Sequence, residues 1–229
     1  SVVAQAKRVL KNAKRVEDRP VRRLRSMLAD LEHLIDAVEQ IIAQTRLRLA
    51  GVMPESKTRR VSLFDGDARP IRKGSLAKPT QFGYTGQVTD NPDGIVLDYE
   101  LEAGIPPDGP RLGPAIERII AAVGATPDAV TADRGYGLAS VDTQLEDLGV
   151  DLVAIPRKGQ PGTARRDAQS EDRFVELVKW RTGSEGRIAT LKRQHGWERA
   201  RNRGLEGARI WCGWGVLSHN LVKIAGLTH

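Results

Sequence analysis

Three acidic residues stand where a folded chain could bring carboxylates together. Asp65 ends the alternating run RVSLFD, Asp133 ends the apolar run AVTAD, and Glu185 lies near the start of a later helical segment. Carboxylates that are forced together repel each other unless a cation joins them. Ligand sets made only of oxygen atoms suit Mg²⁺ or Mn²⁺. These residues therefore predict a metal-binding acidic site, provided that the fold places the three segments side by side.

Two basic residues flank Glu185 in the sequence. Arg181 precedes it, and Lys192 follows it two helical turns later. Residues separated by two turns share one face of a helix, so Glu185 and Lys192 are expected on the same side. A metal-facing carboxylate with a cation on the same face suits a site that grips a phosphodiester.

The first acid of the set has a close competitor. Asp65 and Asp67 both lie in the segment DGDARP. Asp65 continues the alternation of the preceding residues and directly precedes Gly66, which favours it. We therefore predict Asp65, Asp133 and Glu185 as the catalytic and metal-binding acids, with Asp67 as the alternative to Asp65.

The composition is that of a basic globular protein. The chain has 229 residues, a formal net charge of +7 and a sequence pI of about 9.8. A basic balance of this size favours a polyanionic partner. No apolar run is long enough to span a membrane, no signal peptide is visible, and the lone Cys212 rules out an internal disulfide. We therefore expect a cytoplasmic protein without a membrane partner.

Residues 1–57 predict a basic, helical N-terminal arm. Residues 1–19 contain six Lys or Arg against two acids. From Val21 to about Ala50 the apolar residues recur at helical spacing, and Gly51 ends the pattern. The narrow apolar stripe indicates a coiled-coil-like arm or a helical hairpin with the basic segment. Packing of the stripe on its own domain and packing on a second chain both remain open.

Residues 58–229 predict an α/β domain. Strands are expected over Arg60–Asp65, Phe82–Asp90 and Gly94–Leu101, as an antiparallel meander with a hairpin turn at NPDG. Helical and strand patterns then alternate from GPAIERIIAAVG through AVTAD and ASVDTQLEDLG to VDLVAIP, which indicates parallel strands covered by helices. The polar residues 157–172 are expected to form a loop, and a final helical region is expected from about 183 to 225.

This order of elements is the layout of a ribonuclease H-like domain. Its mixed sheet has three antiparallel strands followed by parallel ones, with flanking helices. The first strand of such a sheet lies beside the fourth. Asp65 and Asp133 would then meet at one edge, and the closing helix would supply Glu185.

The sequence resembles the catalytic domain of bacterial insertion-sequence transposases of the DDE type. TADRGYG is similar to the second-aspartate motif of that group, and VSLFDGDARPI to its first-aspartate strand. Arg181, Glu185 and Lys192 match the pattern R-x3-E-x6-K around the glutamate of the group. Val178 stands where the group has a tyrosine, so the role of that tyrosine does not carry over. The resemblance extends from about Thr58 to the end, including GARIWCGWGVLSHNLVKIA.

The resemblance implies a DNA transposase that cleaves phosphodiester bonds and transfers the strands of an insertion sequence. It implies two Mg²⁺ or Mn²⁺ ions held by Asp65, Asp133 and Glu185. Transposon ends and target DNA are the implied partners, a homodimer is the implied active form, and the bacterial nucleoid is the implied place of action. Two other functions remain open: a ribonuclease H-like nuclease or resolvase, and a non-catalytic DNA-binding transposon remnant.

Five residues are expected to contact DNA around the acids: Arg181, Lys192, Arg72, Lys73 and Tyr136. Arg72 and Lys73 belong to a basic loop with glycine and proline, for which a solvated loop is the alternative. Tyr136 either contacts DNA just beyond the site or fills the turn.

Two histidines and two tryptophans near the C-terminus are predicted to be structural. His195 and His219 lack a metal-ligand spacing, so a capping or helix-face role is expected for them. Trp211 and Trp214 lie three positions apart, which favours packing over base stacking.

Overall fold

The computed structural model describes residues 2–14, 22–72, 80–157 and 159–228, and for residues 22, 23, 184 and 185 it describes the backbone alone. The helices in these ranges are α1 Val2–Lys14, α2 Arg22–Leu49, α3 Gly109–Val123, α4 Ala139–Asp147, α5 Thr163–Ser170, α6 Asp172–Thr182, α7 Ser184–Gln194 and α8 Gly204–Leu227. The strands are β1 Arg69–Ile71, β2 Gln81–Asp90, β3 Val96–Ala103, β4 Ala129–Val130 and β5 Leu152–Val153. Within the same ranges, no helix has both the length and the apolar character needed to cross a membrane.

The chain divides into two compact units. The first unit comprises residues 1–85, 102–105 and 203–206, and the second comprises residues 86–101, 106–202 and 207–229. The helices of the predicted arm belong entirely to the first unit, and the alternating helices and strands from α3 onward belong to the second, apart from the start of α8.

The arm consists of two helices that pack against each other. Lys7 of α1 forms an ion pair with Glu39 of α2 at 2.7 Å, and Lys14 pairs with Glu32 at 2.9 Å. The later residue of α1 pairs with the earlier residue of α2, so the two helices run antiparallel. A helical hairpin was one of the two forms expected for the arm, and this packing confirms it. The segment that joins the helices lies outside the described residues.

The prediction of a strand over Arg60–Asp65 is wrong. The Ser62 hydroxyl accepts hydrogen bonds from the backbone N–H groups of Phe64 and Asp65, at 3.2 and 3.1 Å. The Arg60 guanidinium donates to the carbonyls of Ser62 and Leu63. Side chains that bond to nearby backbone groups give the chain an alternative to strand pairing. The segment therefore forms a turn, and β1 begins later, at Arg69.

The strands form two separate sheets among the described residues. One has the order β1-β2-β3, with β1 antiparallel to β2 and Arg69 opposite Gly83, and the other is the parallel pair β4-β5. The meander and the parallel pair were both predicted. The expected pairing of the first strand with the fourth is not found in the described residues, where β1 pairs with β2 and β4 pairs with β5.

The parallel pair carries the larger apolar core. Helices α3 and α4 pack on it, and the core includes Ile116 of α3, Leu145 of α4 and Ile155 just after β5, which are 2%, 0% and 0% exposed. The amphipathic pattern of GPAIERIIAAVG accounts for α3, and Gly124 ends this helix in the left-handed conformation, at φ 78°. This core anchors Val130 at the end of β4, and the chain continues from there to Asp133.

The segment 157–172 is not the loop that was expected. Residues Thr163–Ser170 form α5, which packs against α6. The Arg165 guanidinium of α5 lies 3.1 Å from the buried carboxylate of Asp142 and 2.9 Å from the Ile155 carbonyl. Contacts with residues outside the segment therefore order a sequence whose own polar composition favours a loop.

Candidate functional site

Asp133 lies at a sharp turn that follows β4. Its backbone is extended, and its Oδ1 accepts a hydrogen bond from the Arg134 N–H at 2.6 Å, so Asp133 caps the 3₁₀ turn of Arg134–Tyr136. The side chain is 68% exposed. The strand ends at Val130, three residues earlier than the sequence predicted. The turn therefore presents a carboxylate at the surface of the second unit.

The two glycines of TADRGYG allow neighbouring backbone and side chains to approach this turn. A Cβ atom at Gly135 would collide with the Asp108 carboxylate, and one at Gly137 would collide with the Pro156 carbonyl. The Arg134 guanidinium donates to the Arg157 carbonyl at 3.1 Å. Close approach on both sides therefore requires glycine and holds the turn in place.

Arg181 forms an ion pair with Asp133. Its Nη1 atom lies 3.8 Å from Asp133 Oδ1, and its side chain is 23% exposed. An ion pair at this distance and exposure contributes little to stability. Its Nε has no hydrogen-bond acceptor among the described residues, so the guanidinium keeps donor capacity beside an exposed carboxylate.

Glu185 lies in the first turn of α7, as predicted, and its side chain lies outside the described part of the structure. Lys192 lies in the last turn of the same helix and is exposed. The structure thus confirms one helix for both residues. Arg181 belongs to the preceding helix α6, and Gly183 separates the two helices.

Asp65 lies in a turn of the first unit and not at the end of a strand. Its Oδ1 accepts hydrogen bonds from the N–H groups of Asp67 and Ala68, at 3.1 and 3.2 Å, and from the Tyr84 hydroxyl at 2.6 Å. Burial and the bond to Asp65 raise the pKa of Tyr84 well above its ordinary value, so the phenol remains a donor. One oxygen of Asp65 is therefore committed to local structure.

Asp67 has a different contact. Its Oδ2 accepts a hydrogen bond from the Leu205 N–H at 3.0 Å, at the first turn of α8. A carboxylate at a helix N-terminus satisfies a free N–H and interacts favourably with the helix dipole. This capping role gives Asp67 a structural function.

Three further residues were predicted to contact DNA, and the structure describes two of them. Arg72 is exposed just after β1, and Lys73 lies outside the described residues. Tyr136 packs against the core of the parallel pair and donates its hydroxyl to Gln87 at 3.3 Å. These contacts favour the turn-filling role of Tyr136 over the contact with DNA.

The histidines and one tryptophan are structural, as predicted. His195 is the C-cap residue of α7, and the buried His219 donates from Nε2 to the Gly94 carbonyl at 3.0 Å. Trp211 donates from Nε1 to the Gly196 carbonyl at 2.8 Å. Trp214 is 66% exposed, so the prediction of packing is wrong for this residue.

Asp90, the last residue of the predicted strand Phe82–Asp90, has a partner that the sequence did not predict. Asp90 ends β2, and its largely buried carboxylate forms an ion pair with Arg187 of α7. Like Asp133, Asp90 is a carboxylate at the end of a predicted strand. The partner could not be found in this way, because α7 is distant in the sequence.

The donor chemistry of Asp133 fits a divalent cation. Its hydrogen bond and its ion pair both use Oδ1, which leaves Oδ2 for a metal within the described part of the chain. Carboxylate oxygens are the ligands that Mg²⁺ and Mn²⁺ prefer. The described side chains, which do not include that of Glu185, form no group of three metal-ligating residues. The set of three acids therefore remains a prediction.

Comparison with known proteins identifies the family. No curated protein and no solved structure matches the chain. A family model described as the transposase DDE domain matches residues 56–221, which is most of the chain and includes all three predicted acids. This match confirms the resemblance to insertion-sequence transposases, a family that uses divalent metal ions. The chain belongs to the transposase DDE domain family.

Proposed function

We propose that the protein is a DNA transposase that cleaves the ends of an insertion sequence and joins them to target DNA. The observation that carries this proposal is the turn of TADRGYG, which presents the exposed Asp133 carboxylate beside Arg181 in a chain of the transposase DDE domain family. Residues 58–229 are the catalytic domain in this proposal, with a ribonuclease H-like architecture, and residues 1–57 are an accessory arm.

Asp65, Asp133 and Glu185 are proposed to hold two Mg²⁺ or Mn²⁺ ions. The chemistry that such ions supply is charge neutralisation and activation of the attacking oxygen in an in-line displacement. Asp133 contributes an oxygen that its own turn leaves available. Arg181 and Lys192 are proposed to bind phosphate oxygens on either side of the scissile bond, because a fixed cation stabilises charge that develops during the reaction.

DNA and a homodimer are the proposed partners. The net charge of +7 supports attraction to the phosphate backbone. A transposase must bring two transposon ends together, and two copies of the chain would supply two acidic sites.

A strand-transfer assay with Mn²⁺ tests this proposal. Asp133→Asn and Glu185→Gln remove a charge but keep the side-chain shape, so we expect loss of cleavage, by about a hundredfold or more, with DNA binding retained in Ca²⁺. The control variant is Asp128→Asn, an exposed carboxylate just before β4.

The outcomes separate the three functions. Joined products from wild-type protein support the transposase. Cleavage without joining indicates a nuclease or resolvase, and binding without cleavage indicates a transposon remnant. Full activity in Asp133→Asn or Glu185→Gln would contradict the assignment of the acids.

A further inference from the structure

A buried ion pair lies at the end of β2, outside the proposed set of acids. The side chain of Asp90 is 9% exposed, and that of Arg187, its partner on α7, is 18% exposed. Burial raises the pKa of Asp90, and the charge of Arg187 opposes this effect. Removing one member of a buried pair leaves an uncompensated charge, so both charges are expected to act together.

Arg187 also contacts α6. Its guanidinium carbon lies 4.8 Å from the centre of the Trp180 ring. A guanidinium over the face of tryptophan makes a favourable cation–π contact, and the contact is stronger when water is excluded. Arg187 therefore joins three elements of the second unit: the end of β2, the last turn of α6 and the first turns of α7.

The end of β2 is itself well anchored. The Asn91 side chain accepts a hydrogen bond from the Ile95 N–H at 2.9 Å and closes the hairpin turn. The Asn220 amide of α8 bonds to both the N–H and the carbonyl of Val96, at 2.9 and 2.8 Å. His219 donates to the Gly94 carbonyl in the same turn. Asp90 therefore lies at the end of a strand whose hairpin turn is hydrogen-bonded to α8.

A glycine precedes the first turn of α7. Its N-cap residue is Gly183, which provides no side-chain hydrogen bond. A helix without a cap tends to fray in its first turn. Glu185 lies in this turn, and Arg187 lies in the same part of the helix. A contact through Arg187 can therefore hold the turn that carries Glu185.

We propose that Asp90, Arg187 and Trp180, together called the α7 clamp, position the first turn of α7 and with it Glu185. These are positioning residues, since they act through Glu185. The inference rests on the proposed function, because that function assigns Glu185 as a metal-binding acid. A metal-binding carboxylate must be held close to its productive geometry, and residues that orient ligands affect metal affinity strongly.

Hydrogen exchange on the full chain tests the clamp without relying on activity. We expect Arg187→Ala and Asp90→Asn to accelerate amide exchange in residues 184–194 by about tenfold or more, because the first turn of α7 opens more often. Trp180→Leu should do the same, whereas Trp180→Phe keeps an aromatic face and should restore slow exchange. The matched control is Arg193→Ala, which removes an exposed arginine from the same helix.

Manganese binding tests the link to Glu185. With Mn²⁺ alone as the probe, followed by the electron paramagnetic resonance signal of the free ion, we expect roughly tenfold weaker binding in Arg187→Ala and no change in Arg193→Ala. The cleavage rate should fall in the same variants, while the KM for DNA stays close to that of the wild type. The double variant Asp90→Asn/Arg187→Ala should lose no more affinity than Arg187→Ala, since the two residues act as a unit.

The result for each variant either supports or overturns the inference. Unchanged exchange over residues 184–194 in Arg187→Ala would refute the clamp. Accelerated exchange with unchanged Mn²⁺ affinity would refute its action through Glu185. If Arg187→Ala does not fold, Trp180→Leu and Trp180→Phe decide the matter, since both keep the ion pair. Full activity of Glu185→Gln would refute the proposed acid set, and the exchange data would still report on the clamp.

Discussion

Asp133 and Asp65 differ in how much of each carboxylate the protein already uses. Asp133 accepts one backbone hydrogen bond and is 68% exposed. Asp65 accepts three hydrogen bonds on a single oxygen, one of them from Tyr84. A carboxylate with three donors on one oxygen is held rigidly, and its second oxygen is the one left for a cation. The two acids therefore call for different experiments.

For Asp65, the substitution to asparagine separates the turn from the metal. Asparagine keeps the side-chain oxygen that accepts the three hydrogen bonds, so the turn should survive. We expect Asp65→Asn to reduce cleavage by about tenfold or more, with an unchanged melting temperature, because only the charge is lost. Cleavage assays and thermal unfolding measure the two effects.

Asp67→Asn is the matched variant for this prediction. Its oxygen can still accept from the Leu205 N–H, so the cap of α8 should remain. We expect near-normal cleavage. Loss of cleavage in Asp67→Asn together with activity in Asp65→Asn would assign the first acid to Asp67.

The single cysteine permits a prediction about reactivity. Cys212 is 5% exposed, and burial raises its pKa to about 11. Since the thiolate is the reactive form, we expect Cys212 of the native protein to react with a disulfide reagent at pH 8 far more slowly than free cysteine does. Denaturation with guanidinium should restore rapid labelling. Prompt labelling of the native protein would show that the C-terminal helix opens readily.

At the scale of elements, α7 carries two of the predicted functional residues on one helix. Glu185 lies in its first turn and Lys192 in its last. The helix packs through the fully buried Leu191, which belongs to a cluster with Val96 of β3 and Val216 of α8. Helix α7 is therefore held at both ends, by this packing at its C-terminal end and by the α7 clamp at its N-terminal end.

Lys192→Ala tests the functional face of α7. If the ammonium group binds the reacting phosphate, cleavage should fall by about tenfold or more while DNA binding in Ca²⁺ changes little. Arg193→Ala removes a neighbouring exposed charge and should affect neither quantity. Equal, small effects of the two substitutions would indicate that Lys192 belongs to a solvated face.

At the scale of the whole molecule, the excess of positive charge is the main feature relevant to DNA. The arm contributes to it, and the structure shows which of its charges are already paired. Lys7 and Lys14 form ion pairs with α2, whereas Arg8 and Lys11 are exposed on α1. Deleting the whole of α1 would also uncover apolar surface of α2, so point substitutions are the cleaner test of charge.

Salt dependence measures the contribution of the arm. Log affinity for DNA should fall linearly with log salt, at a slope of roughly −0.9 for each phosphate contacted. We expect Arg8→Ser/Lys11→Ser to reduce the magnitude of this slope by about one for each residue that contacts a phosphate. Asn12→Ser on the same helix is the control. Identical slopes for the wild type and the double variant would exclude α1 from the DNA-binding surface.

Local sequence patterns were sufficient to predict much of the fold. The apolar periodicity of α2 and α3, the NPDG turn between β2 and β3, and the alternation that gives the parallel pair β4-β5 were all read from neighbouring residues. The placement of Glu185 and Lys192 on one helix was predicted in the same way. These features follow from periodicity and turn chemistry, which act over a few residues.

Other features depend on partners that are distant in the sequence. Tyr84 completes the hydrogen bonds of Asp65 from nineteen residues away. Asp67 caps a helix that begins at Gly204, and Asp90 pairs with Arg187. A carboxylate at the end of a predicted strand has the same local sequence signal whether it is Asp65, Asp90 or Asp133. Which cation or N–H it meets depends on how the elements pack, because ion pairs and caps between distant residues leave no periodic trace in the chain.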